Sequence, residues 1–151
     1  MYIGTKLVEA KPMNRCEYNL YRGWQLPEDE NPDDAGYLVI SADGYETWTP
    51  KAKFEVDYRS LAGGMDFGSA IELMKSGFKV ARKGWNGKGM FLYHVPANRY
   101  AATTKAGNEI AGDDGKVEYG AYIAMKTAQG NVVPWLASQT DMLAEDWNIV
   151  E

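Results

Sequence analysis

The sequence predicts an α+β protein in which an antiparallel β-sheet carries one packed amphipathic helix, preceded by a small α+β unit. Short alternating stretches bounded by turn residues indicate strands, and one apolar helical face stands out in MDFGSAIELMKSG, residues 65–77. A glycine pair ends Ser60–Gly64 and suggests a hinge. We therefore predict two modules, 1–62 and 65–151, which 151 residues are enough to form.

The first module should contain a strand, a capped helix and a hairpin. We expect a strand over Ile3–Ala10 that Pro12 stops, followed by a helix that Asn14 caps and that runs through about Tyr21 to end at Gly23. An exposed loop over Leu26–Gly36 should lead into a hairpin with strands Tyr37–Ile40 and Tyr45–Trp48. A second helix is expected over Pro50–Tyr58, with Thr49 as its cap.

The second module begins with the amphipathic helix, for which Asp66 is the predicted N-cap and Gly77 the end. Its strands are predicted at Phe78–Arg82, Met90–Val95, Tyr119–Met125, Asn131–Leu136 and Trp147–Val150, with a helical turn at Asp141–Asp146. Pro134 places its strand at a sheet edge. Pro96–Val117 is polar and long, which predicts a functional or flexible loop.

The composition narrows the classes of function. A net charge of -5 argues against a general binder of nucleic-acid polymers. No apolar run approaches the roughly 18 residues that a membrane span needs, and the N-terminus has no signal-peptide pattern, so we expect a cytosolic protein without membrane contact. The single cysteine, Cys16, excludes an internal disulfide and any multi-cysteine metal site, and is more often a structural thiol than a nucleophile.

The charge is unevenly distributed. Between Lys75 and Lys105 the chain has seven basic residues and no acidic one. Such a basic segment in an acidic protein attracts compact anions, although a solvated strand face and helix end would give the same pattern.

A glycine-rich turn within this segment holds an unusual tryptophan. Trp85 lies among Gly84, Gly87 and Gly89, with Lys83 and Lys88 beside it. A flat ring next to cations suits stacking on a base, glycines let backbone N–H groups approach an anion, and Asn86 could hydrogen-bond a base or ribose edge. The alternative is a tryptophan that folds back under the sheet.

The same turn is not a phosphate-binding loop of the NTPase type. Its glycines are spaced too closely, and Gly89 rather than Ser or Thr follows Lys88. We therefore reject an NTPase.

A second unusual stretch runs from Trp135 to Trp147 (WLASQTDMLAEDW) and places Ser138, Gln139, Thr140 and Asp141 at a strand-to-helix junction. At least one of these side chains should cap the helical turn. Capping does not account for Gln139 between two tryptophans, and N–H groups at the start of the turn could meet an anion.

The sequence shows no combination of residues typical of a catalytic site. His94 is the only histidine and lies within a predicted strand, while Glu145 and Asp146 are adjacent and so point in different directions. No spacing matches a metal site, and we expect neither a metal nor a cofactor.

Residues 65–151 resemble the second Thoeris anti-defence family of phage proteins, first described as a domain of unknown function. The resemblance is carried by MDFGSAIELMKSG, VARKGWNGKGMFL and AYIAMKTAQGNVVPWLASQTDMLAEDW, in that order and spacing. It implies a sponge in the host bacterial cytoplasm, which binds cyclic ADP-ribose-type signals made by TIR enzymes without cleaving them. Some members are thought to bind CBASS cyclic dinucleotides as well.

The resemblance also implies a homotetramer with ligand pockets between subunits. It points to Trp85, Asn86 and the glycine-lysine turn, and to Trp135 with the run Ser138–Met142. The predicted ligand-binding residues are Arg82, Trp85, Asn86, Gly87, Lys88, Gly89, Met90, Trp135, Ser138, Gln139, Thr140, Asp141 and Met142.

The first module is similar to a short phage module of unknown role, through YIGTKLVEAKPM, YNLYRGW, ENPDDAGYLV and DGYETWTPKAKFEVDYR. Two other functions remain open at this point. One is a phosphodiesterase acting on the same signals, and the other is a structural phage adaptor whose tryptophans make subunit contacts.

Overall fold

The computed structural model describes residue 1 and residues 6–85 and 89–151, and these form two compact units, Met1–Ser60 and Leu61–Glu151. Both units are α+β with antiparallel sheets, as the sequence predicted. The predicted strand over Ile3–Ala10 lies partly outside the described residues. Within them a strand is observed at Val8–Pro12, so Pro12 belongs to the strand and does not stop it.

The first unit is a three-stranded sheet with two short helices. Its elements are β1 (Val8–Pro12), α1 (Arg15–Arg22), β2 (Gly36–Ser41), β3 (Glu46–Pro50) and α2 (Lys51–Asp57), and the sheet order is β1-β2-β3. Helix α1 begins at a capping box, in which Asn14 Oδ1 accepts from Glu17 N at 2.8 Å and Glu17 Oε2 accepts from Asn14 N at 2.8 Å. It ends at Gly23, as predicted.

The predicted Thr49 cap is wrong. Thr49 and Pro50 end strand β3, where they pair with Tyr37 and Gly36 of β2. The N-cap position of α2 is Pro50, which makes no side-chain capping bond. Pairing with β2 therefore overrides a local signal that by itself favours a helix start.

The second unit is a five-stranded antiparallel sheet with one helix packed on it. Its elements are α3 (Phe67–Lys75), β4 (Lys79–Arg82), β5 (Phe91–Val95), β6 (Asn98–Ala101), α4 (Lys105–Ile110), β7 (Lys116–Tyr119), β8 (Tyr122–Lys126), β9 (Val132–Pro134), α5 (Gln139–Met142) and β10 (Trp147–Val150). The sheet order is β10-β4-β5-β8-β9, so β9 with Pro134 is an edge strand as predicted.

Helix α3 forms one side of the core. Asp66 caps it through its Oδ1, which accepts from Ser69 N at 2.8 Å. Its apolar face then packs on β4, β5 and β10, and the core consists of Met65, Ala70, Leu73, Met74, Val80, Leu92 and Trp147. The apolar spacing read from the sequence therefore identified the buried face of this helix.

The segment predicted as a long loop, Pro96–Val117, is folded. Strands β6 and β7 pair in a separate two-stranded sheet, and α4 lies between them with Thr104 Oγ1 accepting from Gly107 N at 3.0 Å. Tyr119 belongs to β7, so the strand predicted over Tyr119–Met125 starts at Tyr122. The helical turn predicted at Asp141–Asp146 instead spans Gln139–Met142.

No helix in the described part of the chain is both long and apolar enough to pass through a membrane.

Candidate functional site

Trp85 follows strand β4 and packs against the core of the second unit. Its ring centroid lies 5.6 Å from that of Trp147 at an interplanar angle of 76°, and 6.5 Å from that of Trp135 at 60°. Trp147 is fully buried, whereas Trp85 is half-buried. The alternative interpretation of Trp85, a ring folded back against the sheet, is therefore met in part, because the ring contacts the core and still presents surface to solvent.

Trp135 completes this aromatic cluster. It directly follows β9, and its backbone N donates to Ile123 O at 2.9 Å, which holds it beside β8. Its ring lies 6.0 Å from Trp147 and 5.9 Å from Phe67, both in edge-to-face geometry. Trp85 and Trp135, distant in sequence, therefore both pack on Trp147, which Phe67 also contacts.

Only part of the glycine-rich turn is described, because Asn86, Gly87 and Lys88 lie outside the described residues. Gly89 has a φ of 72°, a left-handed conformation that favours glycine. Its carbonyl oxygen accepts from Lys126 Nζ at 3.0 Å, and Met90 beside it is half-buried.

Lys126 is a cation that the sequence did not associate with the turn. It comes from β8, where it pairs with Phe91, and its Nζ lies 5.8 Å from the centre of the Phe91 ring. Lys79 of β4 approaches the same ring at 5.5 Å. Sheet pairing alone brings these lysines together, so no local sequence pattern identifies them.

The polar run after Trp135 begins with a capping box, as predicted. Ser138 Oγ accepts from Asp141 N at 3.1 Å, and Asp141 Oδ2 accepts from Ser138 N at 3.1 Å and from Ser138 Oγ at 2.7 Å. Gln139, Thr140 and Met142 are exposed. Ser138 and Asp141 therefore serve the turn itself, and the exposed side chains are those open to a ligand.

Arg82, predicted as a ligand-binding cation, is held by two carboxylates. Its Nε donates to Asp146 Oδ1 at 2.7 Å, and its Nη1 donates to Asp141 Oδ1 at 3.1 Å and to Thr140 O at 3.5 Å. Only 20% of its side chain is exposed. The arginine thereby joins the end of β4 to the α5 turn and to the residue before β10.

These contacts determine the electrostatics of the turn. The hydrogen bond from Arg82 is the main cause of the lowered pKa of Asp146. For Asp141, burial raises the pKa, but the hydrogen bonds from Ser138 and Arg82 outweigh it and leave the pKa lowered. Both carboxylates are therefore ionised at neutral pH.

Trp147 connects the aromatic cluster to the polar turn. Its indole Nε1 donates to Asp141 O at 3.0 Å while its ring supports Trp85 and Trp135. Trp147 was predicted in a strand but not among the ligand-binding residues, and the bond between Arg82 and Asp146 was not predicted. Both depend on contacts between residues far apart in the chain.

The other residues weighed for chemistry lie elsewhere. His94 is half-buried within β5, opposite Ile123 of β8. Cys16 is a half-buried free thiol in α1 of the first unit. The arrangement around Trp85 thus offers ring surface, exposed turn residues and the exposed Lys83, which are groups suited to holding a flat, negatively charged molecule.

Comparison with known proteins identifies the family of the second unit. The family model described as the Thoeris anti-defense 2-like domain matches residues 65–150. The protein named Thoeris anti-defense 2 from Bacillus phage SP01 is 40% identical over 94 residues, which cover 57% of this chain and 94% of that relative. The family match spans α3, the glycine-rich turn, both tryptophans and β10. The chain therefore belongs to the Thoeris anti-defense 2-like family, and residues 65–150 form a phage anti-defence domain directed against Thoeris.

Proposed function

We propose that the second unit binds a cyclic nucleotide immune signal of the cyclic ADP-ribose type and sequesters it unchanged. The observation that carries this proposal is the pair of half-buried rings, Trp85 and Trp135, which rest on the buried Trp147 beside the glycine-rich turn. A ring fixed from behind by other rings loses little freedom when a base stacks on it, so its stacking energy is available for binding.

The charge distribution near the turn supports an anionic ligand. Lys126 Nζ reaches the backbone of Gly89 at the end of the turn. Lys83 is exposed immediately before Trp85. Arg82 makes a smaller contribution, because Asp141 and Asp146 already neutralise it. In this proposal Lys83, which lies two residues before Trp85 in the chain, meets the phosphates and the tryptophans meet the bases.

The carboxylates of the turn favour binding over cleavage. A general acid is most effective when its pKa lies near the working pH. Asp141 and Asp146 have lowered pKa values and are engaged by Arg82, so they hold no proton to donate at neutral pH. Sequestration without turnover fits this chemistry better than a phosphodiesterase does.

Exposed apolar side chains support assembly around the site. Leu136 and Leu143, on either side of the capped turn, are 91% and 80% exposed, and Met142 is 47% exposed. Apolar groups concentrated beside a ligand site are typical of surfaces covered by a partner. We propose that further copies of the chain cover them in a homotetramer, with pockets completed between subunits.

Calorimetric titration of the full chain with the cyclic ADP-ribose isomers tests the proposal. We expect saturable binding at micromolar concentration or tighter, and ligand that is recovered chemically intact by chromatography after heat denaturation. A phosphodiesterase would return cleaved product. A structural adaptor would form oligomers without any effect of nucleotide on the melting temperature. Absence of binding by every isomer would exclude sequestration of this class of signal.

Two further measurements concern the finer parts of the proposal. Competition between a cyclic ADP-ribose isomer and a cyclic dinucleotide determines whether CBASS-type signals enter the same pocket. Light scattering with and without ligand measures the assembly, for which we expect the mass of a tetramer in both states. A monomer that binds ligand with full affinity would contradict pockets between subunits.

A further inference from the structure

The first unit contains a cleft outside the family match to residues 65–150. It lies between α1 and β3, has a volume of about 500 Å³ and is lined by aromatic and charged side chains. This volume is in the range of sites that hold small organic molecules. Trp24 and Tyr45 line it and are 54% and 67% exposed, so large aromatic surfaces face its opening.

Two arginines in this cleft lie over tryptophan rings. Arg15 Cζ lies 4.8 Å from the centre of the Trp48 ring, and Arg22 Cζ lies 4.7 Å from that of Trp24. A guanidinium group is flat, and when it stacks on an indole it extends the flat surface available to a ligand. The cleft thus has two layered walls of the same composition.

Carboxylates and backbone groups fix both walls. Glu30 makes a bidentate pair with Arg15, and Glu46 accepts from Arg22 at 3.4 Å and from Tyr21 at 2.8 Å. These contacts hold the guanidinium groups in place before any ligand binds. Because such preorganisation lowers the entropy lost on binding, the cleft is suited to recognition.

Trp48 is fixed in a second way. Its Nε1 donates to Met13 O at 2.9 Å, and its ring passes so close to Gly36 that a Cβ there would overlap it. Glycine at position 36 is therefore required for the placement of this wall.

The charge of the cleft limits its ligand. Each arginine already faces a glutamate, so the two ion pairs add no net charge, and a multiply charged phosphate would have to displace a carboxylate. Guanidinium N–H groups outside the ion pairs can donate, and Glu46 and Thr47 oxygens can accept. A nucleobase is a flat ring whose edge carries both hydrogen-bond donors and acceptors. It can therefore stack on the walls and bond both the guanidinium N–H groups and the oxygens of Glu46 and Thr47.

We infer that the cleft between α1 and β3 is a second ligand site, which binds a nucleobase or nucleoside by stacking on the walls formed by Arg22–Trp24 and Arg15–Trp48. This site is independent of the one proposed around Trp85, since all of its residues belong to the first unit.

Titration of the full chain with adenosine, guanosine, cytidine and uridine, followed by calorimetry or saturation-transfer NMR, tests this inference. We expect saturable binding of at least one nucleoside. Its 5′-monophosphate should bind with similar affinity, because both arginines among the described lining residues are already paired with glutamates. Failure of all four nucleosides to bind at millimolar concentration would overturn the inference, as would saturable binding of a proline-rich peptide or a monosaccharide in their place.

Paired variants assign any binding to the cleft. Trp24→Ala should weaken it by about fivefold to hundredfold, the usual scale of a lost base stack, and Tyr45→Ala provides a second exposed position. Tyr58→Ala is the matched control, because Tyr58 stacks on Phe54 at 4.8 Å and does not line the cleft. Thermal melts confirm that each variant is folded. Unchanged nucleoside affinity in folded Trp24→Ala and Tyr45→Ala would overturn the assignment.

Trp85→Ala separates the two sites. Nucleoside binding should survive this change whether or not the second unit binds a cyclic signal. Loss of nucleoside binding in a folded Trp85→Ala variant would place the nucleoside in the second unit and contradict the inference.

Discussion

The two walls of the site in the second unit are built differently. The aromatic wall, Trp85 and Trp135, leaves ring surface half-exposed and is supported from behind. The second wall consists of Arg82, Ser138 and Asp141, whose polar groups form hydrogen bonds within the protein, and we call it the braced wall. The sequence suggests ligand contacts from both walls, and we propose that the first binds the ligand while the second stabilises the turn.

Trp147 supports both walls, so its removal should have the largest effect. Trp147→Ala deletes a fully buried side chain that packs on Trp85 and Trp135 and donates to Asp141 O. We expect a loss of about 3–5 kcal/mol in the free energy of unfolding, measured by chemical denaturation, together with loss of cyclic-nucleotide binding. A small change in stability would show that the walls do not depend on this ring.

Arg82→Met tests the braced wall. The substitution keeps much of the apolar stem and leaves Asp141 and Asp146 without their cation. We expect about 2 kcal/mol of destabilisation, below the value for a fully buried pair because water reaches these groups. Ligand affinity at a temperature where the variant is folded should change little. A large loss of ligand affinity with unchanged stability would show that Arg82 contacts the ligand.

The contribution of this brace should depend on pH in one direction. The folded-state pKa values of Asp141 and Asp146 are lowered, so their stabilising effect is present above the unfolded pKa of about 3.9 and is lost as the pH falls below it. Chemical denaturation at pH 7 and pH 3 should therefore show a smaller difference between wild type and Arg82→Met at pH 3. An equal difference at both values would argue against the ion pairs as its cause.

Ser138→Ala should have a smaller effect on stability. The hydroxyl caps α5, and its loss should cost about 1 kcal/mol in the free energy of unfolding. Thr140→Ala is the matched control in the same turn, since the Thr140 side chain is exposed, and it should change stability by less than about 0.5 kcal/mol. Equal effects of the two substitutions would contradict a specific capping role.

Local signals in the sequence predicted most of the fold. The caps at Asn14 and Asp66 satisfy backbone groups a few residues away, and the apolar face of α3 follows from spacing within one helix. The prediction of Thr49 as a helix cap was wrong because pairing with β2, which is distant in the chain, determines the conformation of Thr49. The hairpin of β6 and β7 was missed because its strands are short and depend on each other, as the ring contact between Tyr100 and Tyr119 at 5.7 Å shows.

The segments of the proposed site could be identified from the sequence, but the roles of their individual residues could not. The glycine-rich turn and the polar run are visible as unusual segments. The bond from Arg82 to Asp146 and the contact of Trp85 with Trp147 join residues far apart in the chain, so no local pattern separates a brace from a binding surface. The cleft of the first unit was missed for the same reason, since α1 and β3 supply its walls.

The affinity of Trp85→Ala for a cyclic ADP-ribose isomer tests the central claim most directly. Calorimetry should show a loss of about 1–3 kcal/mol in binding free energy relative to wild type. Phe78→Ala, which changes a 36% exposed aromatic residue just before β4, should bind as wild type does. An unchanged affinity in folded Trp85→Ala would remove the aromatic wall from the pocket and contradict the proposed mode of sequestration.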